Sequence, residues 1–426
     1  MGIVDPCANG ADHGAAAGRV RGAVRRFAMA KDPVLSASFL HLRARSSMQR
    51  TGDQDRHLFF WARNAIFYSL RGLDIPRDAQ VLLPAYICSA AVEPIRAYGA
   101  KVGFYGVTRE CVPDFRSVEC AITPSTRAIL LVHYFGFPAD LRRIRQLCDT
   151  HGLRLIEDGA HVLPGTDDDH GIGSAGDATV FSWRKFLPLH DGAELVFRAP
   201  PPLNVPWSPE SVLFTAKTAK YLVDTAAEYS SNSAISTIAG GLRLGKALWS
   251  GWRRNGHAAA PGVLATDNNS VAFDPDMVNA RMSRLSRWIL THSPLETIRD
   301  RRRQNYAYLL RELSGIPGVR PLHAELPERT CPWIFPVFFD GLRDAHLRLR
   351  EAGIPAVTWG GVRPAALGEG VFPDADFLYS NLVFLPVHQC LTTEDLQIIV
   401  RVVRQICDGG ATLAGATAPE GRTWTI

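Results

Sequence analysis

Ala128-Ile-Leu-Leu-Val-His133, Asp140-Leu-Arg-Arg-Ile-Arg-Gln-Leu-Cys-Asp-Thr-His151 and Leu153-Arg-Leu-Ile-Glu157 follow one another along the chain. The first and third are short apolar runs of the length that buried strands have. The middle stretch puts Leu141, Ile144, Leu147 and Cys148 on one helical face and basic residues on the other. Asp140 stands at the N-cap and Gly152 at the stop. Strand, crossover helix and strand make a βαβ unit, the building block of parallel sheets.

The same alternation extends in both directions. Val81–Leu83, Val102–Tyr105, Thr179–Ser182 and Leu195–Phe197 are further candidate strands, so residues 51–202 are expected to form a large α/β domain with a mainly parallel sheet between helices. Residues 1–50 are rich in Gly, Ala and Arg without apolar period and are expected to form a flexible extension. Residues 203–272 read as a helical, basic insertion that includes Gly241-Leu-Arg-Leu-Gly-Lys-Ala-Leu-Trp-Ser-Gly-Trp-Arg-Arg254, with either a solvated basic face or a docking face. Asp276 to Leu313 reads as one long helix. It opens a connecting helix and a smaller C-terminal α+β domain over 273–408, with strands at Trp333–Phe339 and Leu382–Leu385 and helices at Asp344–Ala352 and Thr393–Ile406. Residues 409–426 form a tail.

Composition narrows the function classes. The chain has 426 residues, enough for two domains; 46% are hydrophobic and 21% charged, as in ordinary globular proteins. A formal charge of +5 without long like-charge blocks gives no expectation of nucleic acid binding. No apolar run reaches the roughly 20 residues of an integral membrane segment. Eight cysteines lie scattered without a CxxC pair, which suits a reducing cytoplasm. No metal is expected: His133, His388 and Cys390 are too sparse for a zinc set.

Two polar residues stand at carboxyl ends of predicted strands, where open α/β sheets bind ligands. They are Asp158, closing Leu-Arg-Leu-Ile-Glu-Asp, and Lys185, after Thr-Val-Phe-Ser-Trp-Arg. A pyridoxal 5′-phosphate site needs both types: an amine for the Schiff base, and a carboxylate that keeps the pyridine nitrogen protonated. Phe181, Trp183, Phe186 and Leu187 around the lysine favour its neutral, nucleophilic form. Each residue alone also fits a plainer role, a solvated surface lysine and an N-cap for Gly159-Ala-His161.

From about Leu58 to Ile406 the chain resembles the DegT/DnrJ/EryC1/StrS aminotransferases, fold-type I PLP enzymes. Six stretches carry the resemblance in order: Ala62-Arg-Asn-Ala65; Val81-Leu-Leu-Pro-Ala-Tyr86 with Ala97-Tyr-Gly-Ala100; Ile122-Thr-Pro-Ser-Thr-Arg-Ala-Ile129 leading to Val132-His-Tyr-Phe-Gly136; Ile156-Glu-Asp-Gly-Ala-His161; Gly176-Asp-Ala-Thr-Val-Phe-Ser-Trp-Arg-Lys185; and Asn279-Ala-Arg-Met282 with Leu385-Pro-Val-His388 and Leu391-Thr-Thr-Glu-Asp395. The resemblance implies a seven-stranded-type sheet and Lys185 as internal aldimine and proton shuttle. It further implies Asp158 as pyridinium partner, His161 near the phenolic oxygen, and Arg63 and Asn64 at a phosphate-binding helix start, with Ser182 adding a hydroxyl. Asn279 would reach the phosphate of a neighbouring subunit, which implies a homodimer with shared active sites.

The chain departs from that pattern in several places. Ser182 precedes the lysine by three positions where many members have five. Tyr86-Ile87-Cys88 replaces the usual aromatic pair, with Tyr86 the candidate for stacking on the ring, and Gly192-Ala193 replaces Gly-Gly. The implied activity is transfer of an amino group from an amino-acid donor, L-glutamate by analogy, to a keto-sugar or related carbonyl acceptor. Two other readings use the same scaffold: a different PLP reaction (elimination, aldol-type or carbon–carbon bond chemistry), and a non-catalytic regulator. Arg363, in Trp359-Gly-Gly-Val-Arg-Pro364, is either a binder of a substrate carboxylate or a solvent-facing loop residue.

Overall fold

The computed structural model describes residues 29–36, 56–165, 171–199, 201–210, 212–229, 273–328 and 330–409. The basic Trp-bearing stretch 241–254, most of the N-terminal extension and the tail beyond 409 lie outside the described residues.

Seven strands form the large sheet: β1 (Arg56–Phe59), β2 (Gln80–Pro84), β3 (Lys101–Tyr105), β4 (Thr126–Val132), β5 (Arg154–Gly159), β6 (Ala178–Ser182) and β7 (Ala193–Phe197). Their spatial order is β1-β7-β6-β5-β4-β2-β3. Strands β2 to β6 pair in parallel, whereas β7 runs antiparallel to both β6 and β1. Helices α1 (Ala62–Gly72), α2 (Ser89–Tyr98), α3 (Phe115–Ala121) and α4 (Leu141–His151) connect them. The apolar face assigned to α4 is the buried one, Asp140 accepts from the Arg143 N–H, and Gly152 ends the helix at φ +64°. Because helices cover the sheet, its central strands are apolar on both sides; Val81 to Leu83 and Ala128 to Leu131 are completely buried.

The short strand β1 was not anticipated. It opens on a charged residue, and Arg56 forms a two-pronged ion pair with Glu194 of β7 at the sheet edge. The following segment also belongs here. The Phe60 N–H donates to Ala280 O and the Met282 N–H to Leu58 O, so the chain returns to the large sheet after residue 272 before entering the small domain.

Helix α5 (Val212–Tyr229) packs against α6 (Arg284–Thr291), and α7 (Leu295–Leu313) follows. The single long helix expected over Asp276–Leu313 is therefore corrected to a 3-10 turn and two helices. The break falls at Ser293-Pro294, because proline has no N–H to donate and disfavours helical backbone before it. The smaller domain holds an antiparallel sheet of β8 (Val319–Pro321), β9 (Ile334–Phe339) and β10 (Val383–Pro386), in the order β10-β9-β8. Helices α8 (Ala345–Glu351), α9 (Pro373–Asn381) and α10 (Thr393–Cys407) complete it, the last closed by a Thr392–Asp395 capping box.

One apolar core runs from the large sheet into β9, β10 and α10. A second surrounds the turn after β6, where Trp183, Phe186 and Leu187 meet Leu222 of α5, Met282, Ile289 of α6 and Ile298 of α7. Each such burial contributes roughly 1.5–3 kcal/mol. Residues 29–36 correct the picture of a loose extension: Met29, Ala30 and Val34 are buried, and the Ala30 carbonyl accepts from His388 Nε2 at 2.9 Å. A run this apolar docks despite having no regular period. Among the described residues no helix is long and apolar enough to cross a membrane.

Candidate active site

The parallel strands present their carboxyl ends together, and the loops leaving them carry Ile87-Cys88, His133 to Gly136, Asp158 to His161 and Ser182 to Lys185. Asp158 and Lys185 thus come from adjacent strands, β5 and β6.

Lys185 ends a 3-10 turn whose geometry is set by its neighbours. Trp183 is completely buried and donates Nε1–H to Glu194 at 2.9 Å, while the N–H groups of Phe186 and Leu187 both close onto Trp183 O. With Trp183 and Phe186 in the core, the lysine amine lies 4.4 Å from the centre of the Trp333 ring. Burial pulls the amine down to about 8, against the stabilising charge of Asp158; Arg184 pulls it down further. Burial pushes the Asp158 carboxyl above the usual carboxylate range, opposed by Lys185, the Ala160 N–H and His133. Asp158 Oδ1 accepts from the Ala160 N–H at 2.9 Å, whereas its second oxygen makes no hydrogen bond among the described residues.

His161 is sandwiched between Phe135 and Trp333, 5.9 and 4.3 Å away with near-parallel planes. Burial and the charges of Lys185 and His133 hold it well below the ordinary histidine value, so it is neutral. The Phe135 N–H donates to Nδ1 at 3.3 Å, which places the imidazole proton on Nε2. This packing requires close approach of the two domains. Gly136 has φ +95°, and a Cβ there would lie 2.2 Å from Cys331 O.

Helix α1 starts after Trp61 without a side-chain cap, the Asn64 and Ala65 N–H groups close onto Trp61 O, and the positive helix end can attract an anion. Arg63 is buried in this turn and pulled down to about 10 by burial and by the charge of Arg184. Asn64 sits in the same turn, but its Nδ2–H donates to Met277 O at 2.6 Å. Asn279 Oδ1 accepts from the Tyr68 hydroxyl of the same chain. Ser182 is buried at the end of β6, and its hydroxyl makes no hydrogen bond among the described residues.

Tyr86 packs into an aromatic group with Tyr134, Tyr379 and Trp359, and its buried hydroxyl has no partner among the described residues. Two positions along, Cys88 is the residue of this turn whose thiol feels the charges of Lys185, Arg184 and Asp158; burial raises it. Ala193 is buried within β7 between β1 and β6. Arg363 is half-buried and pinned by an ion pair with Asp376 at 2.7 Å and by Gly368 O at 3.1 Å, so it serves its own loop. Sequence reasoning missed Arg184 and Trp333 as neighbours of the lysine. Adjacency to Lys185 was the only signal for Arg184, and nothing in the chain pattern ties Trp333 to Lys185.

The arrangement can condense an amine with a carbonyl compound, accept a ring N–H at Asp158, donate from His161 Nε2 and hold an anion at the start of α1. At pH 7 roughly one Lys185 amine in ten is neutral, against about one in three thousand for an ordinary lysine. The rate of adding a small aromatic aldehyde to the protein is therefore expected to rise with pH along a curve centred near 8. A curve centred at the ordinary lysine value of 10.5 contradicts this environment.

Comparison with known proteins bears on this geometry. Residues 62–192 match the DegT/DnrJ/EryC1/StrS aminotransferase family. Over 121 residues the chain is 37% identical to a UDP-N-acetyl-3-dehydro-alpha-D-glucosamine 3-aminotransferase of Acidithiobacillus ferrooxidans, covering 28% of this chain and 33% of that protein. Over 142 residues it is 34% identical to a dTDP-4-dehydro-2,3,6-trideoxy-D-glucose 4-aminotransferase of Saccharopolyspora spinosa, covering 33% and 37%. The matched region thus spans about a third of these relatives' length. Among solved structures, the aminotransferase TlmJ of Streptoalloteichus hindustanus superposes with a TM-score of 0.60 at 23% identity, covering 84% of this chain and 87% of that one. Helicobacter pylori PseC gives 0.61 at 16% identity, covering 90% and 100%. At such identity these structures show the shared fold.

Proposed function

We propose that this chain, which over residues 62–192 matches the DegT/DnrJ/EryC1/StrS aminotransferase family, is a pyridoxal phosphate-dependent aminotransferase that aminates a keto-sugar or related carbonyl acceptor. One observation carries the reading: a lysine amine drawn to about 8 stands beside a buried carboxylate on the next strand, with one carboxylate oxygen held by a backbone N–H and the other uncommitted. That is the acceptor and nucleophile set the cofactor requires, and the open start of α1 with Arg63 fits its phosphate.

Bound there, pyridoxal phosphate supplies an electron sink for the carbon that loses a proton. Asp158 would hold a proton on the ring nitrogen, and His161 Nε2–H would be the donor for the phenolic oxygen. Arg63 and the positive start of α1 would hold the phosphate, with the Arg184 charge acting on Arg63. Lys185 Nζ takes the α-proton of the amino donor, and in the return direction it delivers one to the acceptor carbon. Trp333 and Phe135 keep water from the imidazole between them.

The sugar acceptor is suggested by the names of the two relatives, both of which are aminotransferases of nucleotide-linked sugars. L-glutamate as donor and a homodimer with shared sites belong to the same proposal. Since Tyr68 engages Asn279 within one chain, Asn279 would have to exchange that partner to reach a neighbouring phosphate. The test is a single turnover: protein loaded with pyridoxal phosphate is mixed with L-glutamate alone. The expected result is loss of the visible cofactor band with one equivalent of 2-oxoglutarate per loaded site. A band that no amino donor alters moves the reading to elimination or aldol-type chemistry on the same residues.

A further inference from the structure

Arg302, in the middle of α7, is completely buried, yet no carboxylate pairs with it among the described residues. All its hydrogen bonds end on uncharged oxygens. Nε donates to Gln389 Oε1 at 2.9 Å, Nη1 to Trp333 O at 3.0 Å and Pro332 O at 3.4 Å, and Nη2 to Lys185 O at 3.1 Å. Its plane also lies over the Phe186 ring, 4.8 Å from the centre. Burial pulls the guanidinium down to about 10, which leaves it charged at neutral pH. The Asp32 carboxylate acts on it only at a distance; a buried charge with no carboxylate bonded to it is costly, and replacing it with apolar side chains often stabilises a fold, so packing alone does not account for it.

What the guanidinium gathers is specific. Pro188 stands three residues after Lys185 and has no N–H, so the 3-10 turn cannot continue onto the Lys185 carbonyl. That carbonyl receives Arg302 instead, and the next one, Phe186 O, receives Gln389 Nε2 at 2.8 Å. Among the described residues no other group donates to either. The same guanidinium fixes the carbonyl of Trp333, whose ring lies 4.4 Å from the Lys185 amine. The planar fork of arginine suits such convergence, because it spans several acceptors in fixed directions where an ammonium is a point.

We propose that Arg302 is a positioning residue for the chemistry of Lys185: it clamps the lysine's main chain and that of Trp333 to one rigid group, and so holds the amine against the ring that faces it. The inference rests on Lys185 being the cofactor-binding lysine. Loss of the clamp lets the amine drift from its reacting carbon and from the Trp333 ring. A misplacement of about 1 Å costs on the order of 100-fold in rate.

The experiment uses full-length protein loaded with pyridoxal phosphate in four forms besides wild type: Arg302→Gln, Arg302→Lys, Gln389→Leu and Arg303→Gln. Arg303 is the control, since on the same helix it donates to Pro327 O and Thr330 O, both at 2.7 Å, away from the lysine. The readouts are the pH midpoint of the visible band and the separate values of kcat and KM for the amino donor. Arg302→Gln is expected to shift the midpoint by about one pH unit or more and to lower kcat about 10- to 100-fold with KM within about threefold. Arg302→Lys should recover part of both, Gln389→Leu should move both in the same direction, and Arg303→Gln should move neither. A folded Arg302→Gln protein with wild-type midpoint and kcat overturns the inference. If that variant fails to fold, Gln389→Leu decides in the same way. A wild-type protein that forms no band removes the reading of Lys185 and this inference with it, whereas a wild-type band with unmoved variants removes this inference alone.

Discussion

Lys185→Ala is expected to remain folded, to lose the visible band that pyridoxal phosphate develops on condensing with an amine, and to lower amino-group transfer by at least about 10³- to 10⁴-fold. The size follows from removing the group that moves the proton, an effect typically worth 10²- to 10⁴-fold, together with the covalent link to the cofactor. Stability should change little. Burial disfavours the charged amine, as its fall to about 8 shows, and no hydrogen bond of the side chain is lost. The turn itself is held by Trp183, Phe186 and the bond from Arg302 to Lys185 O, all of which survive the truncation. Visible spectra, thermal melting and donor turnover check the three parts. A variant that keeps near-wild-type turnover shows that this amine is not the catalytic one.

Asp158→Asn is expected to lower kcat about 10²- to 10³-fold, the usual cost of removing a preorganised group from developing charge. Asparagine keeps an oxygen for the Ala160 N–H, so the loop should hold, but it cannot balance a protonated ring nitrogen. The adjacent residue provides the contrast. Side chains alternate across a strand, and Glu157 points away from Asp158 to accept from the N–H groups of Gly173 and Gly176 and to pair with His133 Nε2 at 2.9 Å. Glu157→Gln should therefore lower the melting temperature while leaving kcat within about threefold. Kinetics and melting curves of the two variants, measured side by side, separate the roles; equal effects of both on kcat contradict the assignment.

Much of this architecture is legible along the chain, for physical reasons that can be named. A parallel sheet buried on both faces needs largely apolar runs, and the segment 128–132 is a continuous one, with shorter apolar stretches at 155–156 and 180–181. The spacing in α4 records which face is buried. The ends of these runs pointed to Asp158 and Lys185, because in such sheets ligands meet the carboxyl ends of strands.

The parts that were not legible depend on contacts between distant segments or on single-residue geometry. Strand β1 begins with Arg56, whose partner Glu194 lies across the sheet. Trp333 reaches Lys185 only because β9 of the small domain packs against the loop at Phe135 and Gly136. Tyr86 is the aromatic candidate of the turn after β2, and its packing against Trp359 of the small domain depends on a contact between segments far apart in the chain. The expectation of one helix over 276–313 gave periodicity more weight than Pro294, which marks the break. Residues 29–36 have too short an apolar run to show a period, and their docking onto His388 depends on the folded small domain.

The most direct test of the central claim is to load the wild-type protein with pyridoxal phosphate, reduce it with borohydride, digest it, and locate the phosphopyridoxyl group by mass spectrometry. A single label on the peptide that contains Lys185 is expected. No label, or a label at lysines such as Lys101 or Lys220 with Lys185 unmodified, would contradict it.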